Sequence, residues 1–171
     1  MTGLMVQTML SEVPYPAPGY LPFTLLSYNM VYNMYPSPDS FMRQPYATNL
    51  PPMYNGEFTL GDMTPYLNDT PIYMIRADVV QDFINNPTTH PLRIALQKND
   101  LMNWRPMAPV RLIYCRMDSH INHQHAISAH AAWTARGATV ELYEASETLD
   151  HSDCALPALV AAKKWWDLHL N

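Results

Sequence analysis

Two side chains in this sequence are spaced for acid–base chemistry. Asp118 stands three residues after the apolar run Val110-Arg111-Leu112-Ile113-Tyr114-Cys115, and His151 follows a second, alternating run and its loop. An aspartate that accepts the Nδ1–H of a histidine fixes the imidazole tautomer and stabilises the imidazolium, so that Nε2 can take a proton from a serine hydroxyl. Read alone, an aspartate at a strand end is a turn or N-cap residue and a histidine before a helix is a surface group. A second group, His120, His123, His125 and His130, has the side-chain type of transition-metal ligands. Its spacing argues against a metal centre: His123 and His125 straddle a helix start, and no set of cysteines or carboxylates sits opposite in the sequence. Neither a metal nor a cofactor is expected. Cys115 and Cys154 read as buried small hydrophobes rather than as a bridge, although a single bridge between them is possible.

The elements that must hold these residues change character along the chain. The first 65 residues carry ten of the 16 prolines and few charges. Proline lacks an N–H and clashes within helices, so this region is cut into short pieces. Helices are expected over residues 4–13 and 22–34, with a turn near 39–43. In the second of these, Leu25, Tyr28, Tyr32 and Tyr35 recur at three- to four-residue spacing as an aromatic stripe. Further helices are expected over 73–85 and over 91–98, where Pro91 takes a permitted first-turn position. The first hundred residues show no convincing strand.

After Pro109 the pattern becomes strand, helix, strand, helix. Residues 110–115 read as a buried strand and 124–136 as a helix with Ala126, Ile127, His130, Trp133 and Thr134 on one side. Gly137 stands where a helix end favours a left-handed residue. Residues 139–144 alternate as a second strand, and 152–170 form a last helix with Leu156, Leu159, Ala162, Trp166 and Leu170 as its stripe. Pro157 is tolerable there only in the first turns. This order is the signature of a parallel α/β sheet with right-handed crossovers. Two parallel strands are too few for a complete sheet, so the chain is expected to be the C-terminal part of a larger α/β protein.

The 171 residues are 48% apolar and 15% charged, with a formal charge of -5 and no cluster of Lys and Arg. A phosphate-tracking nucleic-acid surface needs a basic stripe and is excluded. No apolar run of the roughly 18 residues that a membrane-spanning helix needs is present, and the N-terminus has no signal-peptide pattern.

The acid and base segments resemble a known family. Arg111 to Asp118, Ala138 to Tyr143 and His151-Ser152-Asp153-Cys154-Ala155 are similar to the C-terminal third of α/β-hydrolases of the secretory lipase branch. Tyr15 to Pro22, Ser27-Tyr28-Asn29, Pro45-Tyr46-Ala47-Thr48 and Asn99 to Trp104 are similar to the cap inserted before the acid strand in those enzymes. The resemblance implies an α/β fold in which residues 1–100 form a mostly helical cap and residues 101–171 the last strand-helix-strand-helix of the hydrolase core. It implies a serine hydrolase of carboxylic esters, acting on a small-molecule acyl ester, with Asp118 as acid and His151 as base. A secreted or periplasmic setting follows from the resemblance alone.

The nucleophile elbow G-x-S-x-G is absent: no serine of the chain has glycines two residues to either side. Without that turn there is no exposed Oγ beside an oxyanion N–H, so this chain alone is expected to be inactive, its serine lying in a missing N-terminal half. Asp118-Ser119 also departs from the acidic residue that more often follows the family's aspartate. A serine peptidase of the same architecture and a non-catalytic truncated binding module are the alternative readings.

Overall fold

The computed structural model of the protein describes residue 6 and residues 8–169. The chain divides into two compact units, Thr2–Asn99 and Asp100–Asn171.

The first unit is built from short helices: α1 (Tyr20–Tyr32), α2 (Tyr46–Asn49), α3 (Leu60–Met63), α4 (Ala77–Asn85) and α5 (Pro91–Lys98), joined by 3-10 turns. Its prolines start elements more than they break them. Pro38, Pro51 and Pro71 each open a 3-10 turn and Pro91 opens α5, positions where the fixed φ fits and the missing N–H has no helical partner to lose. Leu21, Phe41, Leu50 and Met74 are fully enclosed, with Leu25, Met42, Phe83 and Leu92 beside them. An open apolar groove of about 610 Å³ is lined by Tyr20, Phe23, Met53, Tyr54 and Phe58.

Several sequence expectations change here. The helix expected over 4–13 lies partly outside the described residues; Val6, Thr8 and Met9 are helical and the helix has ended by Leu10. α1 begins two residues earlier than expected and stops at Tyr32, because Asn33 turns left-handed at φ 51° and its N–H caps Asn29 O. The face it buries is Leu21, Pro22 and Leu25, while Tyr28 and Tyr32 stay half-buried with their rings 5.6 Å apart. The helix expected over 73–85 is split into a 3-10 turn, Pro71–Met74, and α4. Between them Arg43 N–H donates to Met74 O and Arg76 N–H to Phe41 O, forming an isolated antiparallel bridge of Met42 with Ile75. Long-range backbone pairing overrides local helix preference at that point.

In the second unit β1 (Val110–Cys115) runs parallel to β2 (Val140–Ser146), with α6 (Gln124–Thr134) crossing between them and α7 (His151–His169) following. The register sets Arg111 opposite Glu141 and Tyr114 opposite Glu144, and a bulge after Tyr114 brings Cys115 opposite Ser146. Arg111 Nη2 reaches Glu141 Oε2 at 2.6 Å and Arg116 Nη2 reaches Glu144 Oε2 at 2.6 Å. Alternate residues of β1 face different helices, as the pleat requires: Cys115 and Arg111 meet Cys154 and Trp165 of α7, whereas Tyr114 stacks on His123 ahead of α6. α6 ends at Thr134, two residues short of the expectation. Gly137 closes that end at φ 75° with its N–H on Thr134 O.

Two expectations about this unit are corrected. Cys115 and Cys154 are not free hydrophobes but a disulfide, with Cα atoms 6.0 Å apart. The face of α7 turned inward is Cys154, Ala161 and Trp165, not the expected stripe, whose last member, Leu170, lies outside the described residues. Leu156, Leu159 and Trp166 are exposed at 70%, 68% and 61%. The cause is the bridge itself: rotating the helix so that Cys154 meets Cys115 turns the bulkier side chains outward. Pro157 falls in the second turn of α7.

Candidate active site

β1 leads to Asp118. Past Cys115 the chain turns, with Asp118 N–H on Cys115 O at 3.4 Å, and the Asp118 carboxylate closes the turn on itself. Its Oδ1 accepts the N–H of His120 at 2.9 Å and of Ile121 at 2.8 Å. This local side-chain-to-backbone pattern is a preference of aspartate. His151 is the first residue of α7. Asp150, just ahead of it, accepts the N–H of His151 at 2.7 Å and the N–H of Ser119 at 2.8 Å on the same Oδ1. One carboxylate oxygen thus ties the acid turn to the start of the helix. The disulfide joins the same two segments three residues to the other side of each.

The two side chains meet. His151 Nδ1 lies 2.9 Å from Asp118 Oδ2 and 3.0 Å from Oδ1. Asp118 is largely enclosed, its side chain 13% exposed, and that of His151 is 42% exposed. Burial pushes the Asp118 carboxyl up, but the N–H of Ile121, the bond from His151 and the N–H of His120 outweigh it and hold the group below the usual carboxylate range. Hydrogen bonds from the Ser119 side chain and backbone, and then from His151 N–H, bring Asp150 down to about 2. With Nδ1–H given to an ionised Asp118, the Nε2 lone pair of His151 is the atom left to accept a proton. An open groove of about 650 Å³ runs beside Asp118 along Leu112, Tyr114, Ile121, His123 and Ala129.

The four other histidines separate. His123 stacks on Tyr114 with centroids 5.9 Å apart, and His125 and His130 are half-buried on α6. His120 alone joins the acid–base pair, its ring centroid 4.4 Å from that of His151. Among the described residues, Asp118, His120 and His151 are the group whose ligand atoms converge closely enough for a metal ion. The opposing carboxylate that the sequence did not reveal is Asp118 itself, brought beside His120 by the turn. Asp150 escaped the sequence reading, although an aspartate immediately before a helix start is an N-cap signal.

A parallel strand pair with a crossover helix, an acid past the first strand and a histidine opening the last helix is α/β architecture, and hydrolases of known structure share this fold. The rice cell wall degrading esterase LipA from Xanthomonas oryzae, in a ligand-bound form, superposes with a TM-score of 0.73 at 24% identity, covering 92% of this chain and 44% of its own. Another LipA crystal structure gives 0.68 at 26% identity over 81% of this chain and 37% of its own. A "putative hydrolase" from Legionella pneumophila gives 0.81 at 18% identity over 92% and 42%. The chain therefore spans less than half the length of the solved proteins it matches. No protein-family model matches it, and no curated relative does.

Proposed function

We propose that this chain is the C-terminal portion of a serine hydrolase of carboxylic esters, in the secretory lipase-like branch of the α/β-hydrolases. In this reading Asp118 and His151 are the acid and base of a Ser-His-Asp triad. The observation that carries it is the contact of His151 Nδ1 with the Asp118 carboxylate at 2.9 Å. The serine comes from an N-terminal half that supplies G-x-S-x-G and further strands. Two features support such a half: among the described residues β1 is paired on one side only, and α7 carries an unpartnered apolar face. Residues 1–100 are proposed as the cap.

The chemistry follows from the geometry. His151 Nε2 takes the serine proton as the hydroxyl attacks the ester carbonyl, and the imidazolium that forms is stabilised by ionised Asp118. His151 then returns the proton to the leaving alkoxide, and a water molecule repeats the cycle on the acyl-enzyme. The Cys115–Cys154 bridge favours an oxidising compartment, in keeping with a secreted or periplasmic protein. Among the described residues no helix is long and apolar enough to cross a membrane.

The test is the protein extended by its upstream coding sequence and assayed on acyl esters of increasing chain length. Turnover is expected, and His151→Ala should reduce kcat by at least about 10³-fold with the far-UV spectrum unchanged. Undiminished turnover in that variant would end the proposal, and a preference for short peptides over esters would redirect it to a peptidase.

A further inference from the structure

We propose that Asp118, His120 and His151 form a binding site for one divalent transition-metal ion of the zinc type. One ligand atom from each residue lies within 4.8 Å of those of the other two. The two imidazole rings are tilted by 40° with centroids 4.4 Å apart, so both can address a common point. His120 and His151 are half-buried and Asp118 is more enclosed, so the group is open enough to admit an ion and sheltered enough to hold it.

The donor set selects the metal. Two imidazoles and a carboxylate suit zinc, copper or nickel, whereas calcium and magnesium require oxygen cages. Zinc binds nitrogen and oxygen at about 2.0–2.2 Å, which puts tetrahedral ligands about 3.4 Å apart. The ligand atoms, all within 4.8 Å of one another, bracket that spacing, and the side-chain torsions of the two histidines are the freedom by which it is met. Asp118 is already oriented for the task, because the N–H groups of His120 and Ile121 hold its Oδ1. The carboxylate of Asp150, bonded to His151 N–H, adds negative potential beside the cluster. Three protein ligands leave a fourth position for water.

An ion on Asp118 competes with His151 Nδ1–H for the carboxylate oxygens, and an ion on His151 Nε2 occupies the lone pair that would take the serine proton. If the ester-hydrolase reading holds, zinc is thereby a reversible inhibitor of the complete enzyme; that consequence rests on the reading, whereas binding does not.

The test uses the chain as it stands. Co²⁺ titrated into the metal-free protein should give a visible absorption band of a four-coordinate site that saturates at one equivalent and is displaced by Zn²⁺. His120→Ala should weaken Co²⁺ and Zn²⁺ binding by about 10–100-fold, and His120→Asn, which keeps size and polarity, should do the same with the far-UV spectrum of the parent. Absence of the band, or equal affinity in both His120 variants, would overturn the site and point to His123, His125 or His130 as holders of any bound metal. The readout involves no ester, so failure of the hydrolase reading leaves it standing.

Discussion

The helical unit and the α/β unit are held together by different means. In Thr2–Asn99 the stability comes from enclosure: Leu21, Phe41, Leu50 and Met74 have no measurable exposure, and the short helices and proline-opened turns wrap them. In Asp100–Asn171 only Cys115 of the thirteen strand residues is buried, and the ties are a disulfide, cross-strand ion pairs and a web of carboxylate-to-backbone bonds. The unit that carries the candidate chemistry is the one with the thinner core. A site at strand ends needs its side chains fixed to a fraction of an ångström, and covalent and ionic ties do that where packing is thin.

This contrast can be broken at several points, and the tryptophans make it measurable, because Trp104, Trp133, Trp165 and Trp166 all belong to the α/β unit. The largest effect is expected from Cys115→Ala combined with Cys154→Ala. The bridge spans 39 residues, worth about 4 kcal/mol in the chain-entropy description. Urea unfolding followed by tryptophan fluorescence should shift strongly, whereas tyrosine signals of the helical unit should not; a shared shift would mean that both units unfold as one. Next in size, Leu21→Ala should cost the helical unit about 3 kcal/mol through lost burial and the cavity left behind, with the tryptophan transition unmoved.

Acid should act on the two units in different pH ranges. Burial pulls His90 below its ordinary value, and its Nδ1 accepts Leu92 N–H at the start of α5. The unfolded chain therefore takes up the proton first. The contribution of His90 is full above pH ~6.5 and is lost as pH falls through the lower folded value. Asp118 and Asp150 are also held low, the latter to about 2, so their contribution is full above pH ~4 and is lost as pH falls through their lower folded values. Hydrogen exchange across pH 7 to 3 should show the helical unit loosening first; the reverse order would contradict the assignment. The smallest effect is expected from Leu156→Gln with Leu159→Gln on the open face of α7, within about 0.5 kcal/mol, and sedimentation should show less self-association than the parent if that face is sticky.

The sequence carries most of this architecture, but unevenly. Residues 110–115 and 91–98 have the boundaries their patterns suggest, since an apolar run and a first-turn proline are local signals. The split at Ile75 and the inward face of α7 are not local. One depends on a backbone partner 33 residues away, the other on where Cys115 sits. At the site, Asp118 and His151 stand out by their place after strands, but their contact depends on Asp150 and the disulfide, whose partners are 31 and 39 residues distant. The sequence groups His120 with His123, His125 and His130 without setting it apart, because its value lies in the direction a turn points it.

The doubly used oxygen of Asp150 has a mechanical consequence. Ser119 and His151 hang from one atom, so any sliding of the last helix drags the aspartate loop along with it. The spacing of Asp118 and His151 is thereby referred to one shared anchor rather than to two independent ones.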